Sequence, residues 1–434
     1  MWAMASHADR GNAAAITDAQ RLRAILAGSA GNLIEWYDFY IYAFTALYFS
    51  AEFFPESNAL VQVMATSGIF AVGFLLRPIG GWYFGRFADR HGRQRAMVVS
   101  VLMMGLGALL IAALPTYRQV GIAAPALLLL GRMLQGFSTG GQYGTAATYL
   151  SEIAGRGRRG FWASFQYVTL IGGQLLATLV ILALQHLLGE GAMKAYGWRI
   201  GFVIGAGGAA LILWLSRHMH ETGQAAQGRA GAGTLRELFA HHTRPFLLVM
   251  ALTAGGSLSF YTFTTYMQKY LVLTVGMTKP DATLLMTVVL VAFMLIQPVM
   301  GALSDRIGRR SNIVLFAALA MLLTVPIFTA LAASRSVWVA GLLVMVGLVI
   351  NSFYTSVSGL FKAELFPVHV RALGVGLAYG VGNALFGGTA ENVALGFKQI
   401  GHESGFYWYV TVLAAVSLVA SLMLKDTRRD DPLA

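Results

Sequence analysis

The chain has 434 residues, of which 57% are hydrophobic and 12% charged. Soluble domains carry about 25% charged residues, so this chain cannot cover a large water-facing surface with polar groups, and a water-soluble enzyme is excluded. The absence of cysteine removes disulfides, thiolate catalysis and cysteine-ligated zinc or iron–sulfur sites, while the net charge of +12 suits either nucleic acid or a membrane protein with basic loops.

A helix needs roughly 20 apolar residues to cross about 30 Å of hydrocarbon. Twelve such windows are predicted, at 22–50, 60–84, 96–114, 122–150, 161–187, 197–216, 245–272, 281–303, 311–333, 336–361, 372–397 and 405–424. The chain is therefore read as an all-α membrane protein of twelve transmembrane helices in two six-helix bundles. Residues 1–21 hold acids and no apolar core, so they read as a tail and not as a secretory signal. Residues 22–216 form the first bundle, 217–244 a polar linker, 245–424 the second bundle and 425–434 a second tail. With both ends on the cytoplasmic side, 22 of the 31 Lys and Arg residues fall inside and 7 outside, and the remaining two, Arg77 and Arg132, lie within spans. This asymmetry predicts cytoplasmic termini and accounts for the basic balance without nucleic acid.

The halves repeat. GRFADRHGR at 85–93 recurs as GALSDRIGR at 301–309, an offset of 216, each after the second span of its half. Glu152 and Arg159 are echoed by Glu364 and Arg371, each pair seven apart and after a fourth span. Two matches at nearly the same offset predict a duplicated carrier that rocks its bundles around a central site.

The loop signature G-x-x-x-D-R-x-G-R, standing twice, resembles that of the major facilitator superfamily. GNLIEWYDFYIY at 31–42, GFLLRPIGGW at 73–82, ASFQYVTLIGGQLL at 163–176, FYTFTTYMQKYL at 260–271 and KAELFPVHVRALGVGLAYG at 362–380 resemble its metabolite:proton symporter branch. The resemblance implies a secondary active transporter in a bacterial inner membrane, with a small carboxylate and a proton as partners and the bilayer as solvent. It implies α-ketoglutarate as the substrate, with citrate or another organic acid, or an uncoupled uniporter or exchanger, as alternatives. It further implies gating roles for Asp89, Arg90 and Arg93 and for Asp305, Arg306 and Arg309. No cofactor, metal or catalytic residue is expected, since HExxH, G-x-S-x-G and P-loop patterns are missing, and the expected state is a monomer.

Charge at bilayer depth is costly and needs a partner, so each instance is a functional candidate. Glu35 and Asp38 stand three apart on one helical face of the first span. Asp38 with Arg132 is either a proton switch or a permanent structural pair, and Glu35 is either a rival proton carrier or an acceptor for Arg77. Arg77 is the first choice for gripping a carboxylate, because a planar guanidinium offers two parallel hydrogen bonds; the alternative is neutralisation of the two acids. Lys269 is the candidate cation from the second half, against snorkelling to the interface. Arg199, beside Trp198, reads as an interfacial anchor. Gln166, Gln174, Tyr261, Tyr266, Gln297, Asn351, Tyr354 and Asn383 are candidates for a second carboxylate and a keto oxygen, or serve as interhelical hydrogen bonds. Glu391 stands as an unpaired acid without a role. Gln142 departs from the resemblance, which carries Glu there; an amide cannot exchange a proton, so coupling is weakened, carried by another acid, or locked by a substitution. His91 reads as a solvated loop residue, and His241 and His242 as a pair without metal-ligand geometry.

Overall fold

The computed structural model describes residues 18–91, 93–140, 157–216, 234–367 and 369–424. Among the described residues every regular element is helical, and the helices follow the predicted order. Span 1 is Asp18–Phe53, span 2 Ala59–His91, span 3 Arg93–Ala112 and span 4 Ala123–Ser138. Span 5 runs as Arg159–Ala163 and Phe165–Ala192, and span 6 is Trp198–Ser216. In the second half, span 7 is Thr243–Leu273, span 8 Lys279–Ile307, span 9 Arg309–Ala333 and span 10 Val337–Glu364. Span 11 is built from Arg371–Gly382, Asn383–Gly387 and Ala390–Gln399, and span 12 is Glu403–Leu422. This is a multi-pass membrane protein of two bundles.

Among the described residues, seven helical stretches are long and apolar enough to cross a bilayer by length and composition alone. One of these, Arg159–Trp214, turns back at Gly189, where φ is +73°, and so supplies two spans. Span 1, which carries Glu35 and Asp38, and span 11, broken near Asn383, miss the criterion.

Two departures from the predicted elements have local causes. The first loop signature is helical as far as His91, because nothing in GRFADRH stops the helix before Gly92. Within the polar stretch 217–244, Leu235–His241 forms a short helix; Thr234 caps it by accepting from the Glu237 N–H at 3.2 Å, and Leu238 buries itself with Phe246.

Span 2 meets span 4 backbone to backbone. A Cβ built on Gly136 would lie 2.1 Å from the Gly73 carbonyl oxygen, and one on Gly140 would lie 1.9 Å from that of Arg77. Small residues allow this approach, as they do in other membrane helix pairs. The contact sets Arg77 and Arg132 on adjoining helices, both buried against span 1. We expect Gly136→Ala to destabilise the protein by about 1–3 kcal/mol through overpacking. Gly207→Ala, which meets nothing within 4 Å, should cause no loss. Thermal unfolding in detergent checks the pair; equal melting temperatures would show that the close contact carries no energy.

Candidate functional site

Span 1 presents a dense aromatic and acidic segment, EWYDFYIY, to the protein interior. Glu35 and Asp38 are 3% and 2% exposed, so neither faces lipid. Asp38 meets Arg132 through a relay: Gln135 Nε2 donates to Asp38 Oδ2 at 2.6 Å, and Arg132 Nη1 donates to Gln135 Oε1 at 2.8 Å. The expected contact is thus indirect. Gln135 lies three residues after Arg132, the spacing that puts two side chains on one helical face, and that spacing was the available signal for its role. Aromatic faces supply the rest of the environment of Arg132, whose guanidinium carbon lies 4.3 Å from the ring centre of Tyr42 and 4.6 Å from that of Phe39. Desolvated cation–π contacts of this kind contribute about 2 kcal/mol.

Arg77 is held in the same way. Its guanidinium carbon lies 4.2 Å from the Phe39 ring and 4.7 Å from each of the Trp36 and Phe74 rings. Buried Nε and Nη2 have no hydrogen-bond partner, and neither has Glu35 Oε2. Among the described residues no ion pair ties Arg77 to Glu35 or Asp38. A buried donor without an acceptor costs about 1–3 kcal/mol or more when charged, so this guanidinium edge has unspent capacity for an acceptor. It opens on a cavity between the bundles, lined by Asn32, Glu35, Trp36, Arg77, Thr139 and Gly140 from the first half and by Gly376, Tyr379, Gly380 and Asn383 from the second.

The neutral candidates divide. Gln174 is fully buried with neither end of its amide partnered, and Asn383 Oδ1 is also unpartnered. Tyr261 packs against Phe74 and stands across from Tyr40 with ring centres 6.5 Å apart, which brings span 7 onto the first bundle. Gln166 is buried on span 5. By contrast, Gln297 is engaged within its own bundle, accepting from Thr355 Oγ1 at 2.8 Å and donating to the Phe293 carbonyl at 3.2 Å. Asn351 donates to the Gly347 carbonyl and keeps a free oxygen. Tyr354 lies against Gly256 and under the Lys362 ammonium, away from Arg77's aromatic platform. Tyr266 points its hydroxyl to Glu403 at 3.5 Å.

Two expectations are corrected. Glu391 is not unpaired: Lys269 Nζ donates to its Oε2 at 2.8 Å, and both side chains are buried. Lys269 does not snorkel, because its second bond runs at 2.6 Å to the Ala43 carbonyl of span 1, in the opposite bundle. Arg199 lies over the Trp198 ring at 4.1 Å and donates to the Leu114 carbonyl at 2.8 Å. His242 also departs from expectation, since potential ligand atoms of Glu237, His242 and His369 lie within 4.8 Å of one another, with His369 Nε2 2.9 Å from Glu237 Oε1.

The second loop signature joins span 8 to the start of span 5 across the bundle interface. Asp305 accepts from the Gly160 and Phe161 N–H groups at the start of span 5, at 2.8 and 3.0 Å, and pairs with Arg309 at 3.0 Å. Arg309 also approaches Glu364 at 3.6 Å, while Arg306 is exposed. On the opposite face, Asn392 of span 11 donates to the Met64 carbonyl of span 2 at 2.8 Å. The side chains of Asp89, Arg90, His91 and Arg93 lie outside the described part, and so does Gln142.

Residues 29–390 match the family described as the Major Facilitator Superfamily. The chain belongs to the major facilitator superfamily. It is 56% identical over 406 residues to the alpha-ketoglutarate permease of Escherichia coli (strain K12), covering 93% of this chain and 94% of the relative. A citrate-proton symporter of Salmonella typhi is 35% identical over 408 residues, covering 92% of this chain and 93% of that one. Among solved structures, the xylose transporter of E. coli in a partially occluded inward-open conformation matches with a TM-score of 0.73 at 18% identity, covering 94% of this chain and 99% of that chain. That last likeness concerns the fold.

Asp305→Ala should loosen the contact between spans 5 and 8, since it removes the acceptor of two backbone N–H groups and the partner of Arg309. Hydrogen bonds to charged groups are worth about 1.5–3 kcal/mol each, so opening should become at least about tenfold more frequent. The chain has no native cysteine, and Ser164→Cys, at a fully buried site beside Gly301, reports it cleanly. Faster maleimide labelling in the Asp305→Ala background is expected; equal rates would show that the contact does not hold this face shut.

Proposed function

We propose that the protein is a proton-coupled symporter that carries α-ketoglutarate into the cell by alternating access. The observation that carries this reading is the buried Arg77 guanidinium, stacked on three rings with its Nε and Nη2 unsatisfied, at a cavity shared by both bundles. A carboxylate oxygen pair matches such an edge in charge and geometry. The names of the two relatives, a permease for alpha-ketoglutarate and a proton symporter for citrate, support a carboxylate as the substrate class.

In this reading the termini lie in the cytoplasm of a bacterium's inner membrane and the polar stretch 217–244 links bundles 22–216 and 245–424. Arg77 binds one carboxylate, and Asn383, which lines the same cavity, holds the remaining oxygens together with the unpartnered Tyr261 hydroxyl and Gln174 amide. Asp38 carries the proton. Ionised, it accepts from Gln135, which in turn holds Arg132, so spans 1 and 4 are tied together. Protonated, it becomes a poorer acceptor and the relay slackens, which lets span 1 move relative to span 4. Asp305 and its counterparts around the first signature, Asp89, Arg90 and Arg93, gate the cytoplasmic face.

A thermal-shift screen of the purified protein against α-ketoglutarate, citrate, succinate, shikimate and proline tests the substrate class. A ligand at 100 times its Kd stabilises the fold by about 2.7 kcal/mol, and α-ketoglutarate is expected to give the largest shift; a larger shift with proline would reject the assignment. Arg77→Ala should lose binding by at least about 100-fold, as expected for two charge-assisted hydrogen bonds, with Arg77→Lys recovering only part. Unchanged affinity in Arg77→Ala removes that residue from the site. For Asp38→Asn, vesicles should lose accumulation driven by an inward proton gradient while keeping exchange of labelled against unlabelled substrate. Persistent gradient-driven accumulation would assign the proton elsewhere.

A further inference from the structure

Lys269 and Glu391 are two buried charges that the scheme above leaves idle. They sit on different helices of the second bundle, and each follows an irregular turn: Lys269 comes three residues after the π-helical segment Thr262–Tyr266 in span 7, and Glu391 four residues after Asn383–Gly387 in span 11. Such turns interrupt the regular hydrogen-bond ladder and recur at functional sites. Lys269 is fully buried, and its Nζ reaches across the bundle interface to the Ala43 carbonyl. Ala43 lies one turn beyond Phe39, about 6 Å along the span 1 axis, and Phe39 is the ring against which Arg77 packs most closely. A cation of each bundle, Lys269 and Arg77, thus meets span 1 at positions one helical turn apart.

The charge balance then follows from electrostatics. With Glu391 ionised, the pair is neutral and Lys269 has no capacity for an anion. With Glu391 protonated, Lys269 is a buried cation whose counter-charge is gone, a strongly unfavourable state unless another anion arrives. Adding a proton and a carboxylate together leaves the net charge of the site unchanged. We propose that Lys269 and Glu391 form a latent second carboxylate site, in which protonation of Glu391 releases Lys269 to bind the distal carboxylate of a dicarboxylate whose other end is held by Arg77. The proposal rests on the symport reading and deepens it: the arrangement selects diacids and links a proton to that selection.

Other groups near Glu391 leave Lys269 as its direct counter-charge. Tyr266 of span 7 and Tyr42 of span 1 lie within electrostatic reach of Glu391 and are neutral as phenols. Span 2 presents the uncharged Ser67, bound to Asn392. Glu403 of span 12 is already paired with Lys398 at 3.1 Å.

Calorimetric titration of the full chain in detergent, in buffers of different ionisation enthalpy, gives affinity and proton uptake together. The ligands are α-ketoglutarate and 2-oxopentanoate, which keeps the keto acid and lacks the distal carboxylate. Wild type should prefer the diacid and take up protons on binding it. E391Q should keep the preference but take up about one proton fewer per diacid bound, and K269Q/E391Q should lose the preference by at least about tenfold. A wild-type preference retained in K269Q/E391Q, or undiminished proton uptake in E391Q, overturns the proposal while leaving the symport reading intact. Wild type that binds neither acid overturns both. Should the double variant fail to fold, the proton count of E391Q decides alone.

Discussion

The cost of holding charge away from water organises this protein. A helical pair of acids on span 1 and two guanidinium groups from spans 2 and 4 converge where all four are buried. The fold meets that cost with rings as much as with counter-charges: Trp36, Phe39, Tyr42, Phe70 and Phe74 surround the two guanidinium groups. A ring face stabilises a cation without occupying its hydrogen-bonding edge. This is why Arg77 can be buried and still have donors to offer, a condition that a salt bridge to Glu35 would have removed.

The two bundles treat charge differently. In the first, charge is screened by aromatic faces and an amide relay, so donors and acceptors remain open: Asp38 Oδ1, Glu35 Oε2 and parts of both arginines. In the second, Lys269 and Glu391 satisfy one another directly and Gln297 is bound to Thr355, while Lys362 lies over the Tyr379 ring and Asn351 and Asn383 keep unpartnered oxygens. Both halves follow the same rule, since a buried polar group is either paired or poised for something that will pair with it.

Much of this was legible in the chain itself. Apolar windows and the Lys and Arg asymmetry are properties of composition along a line, and the order of helices they predict is the order observed. The acids on span 1, with Arg77 and Arg132, were visible because a charge inside an apolar window stands out. Pairing was not visible. Glu391 and Lys269 are 122 residues apart, and only packing of span 11 on span 7 brings them together. Gln135 stood beside Arg132 at the spacing of one helical face, but its bond to Asp38, 97 residues away, needed span 4 to pack on span 1. The cluster of Glu237, His242 and His369 likewise needed the loop before span 11 to fold back on the short helix after Thr234. Tyr266 and Gln297 admit two readings, since polar residues in spans look alike in sequence whether they face a cavity or a neighbouring helix.

Contacts between the bundles explain how so few polar groups can serve a moving structure. On the face with the chain ends, one carboxylate, Asp305, takes two backbone N–H groups at the first turn of span 5, where the orphan donors of a helix start would otherwise go unmet. On the other face, an ammonium and an amide reach backbone carbonyls, Lys269 to Ala43 and Asn392 to Met64. In each case a side chain of the second bundle meets the main chain of the first. Main-chain groups at these places are held by helices whichever side chains surround them, so such a contact can break and reform without repacking the first bundle. Each is also exchangeable, because water can take its place when that face opens, and this makes the balance between the two faces responsive to small changes in charge at the centre.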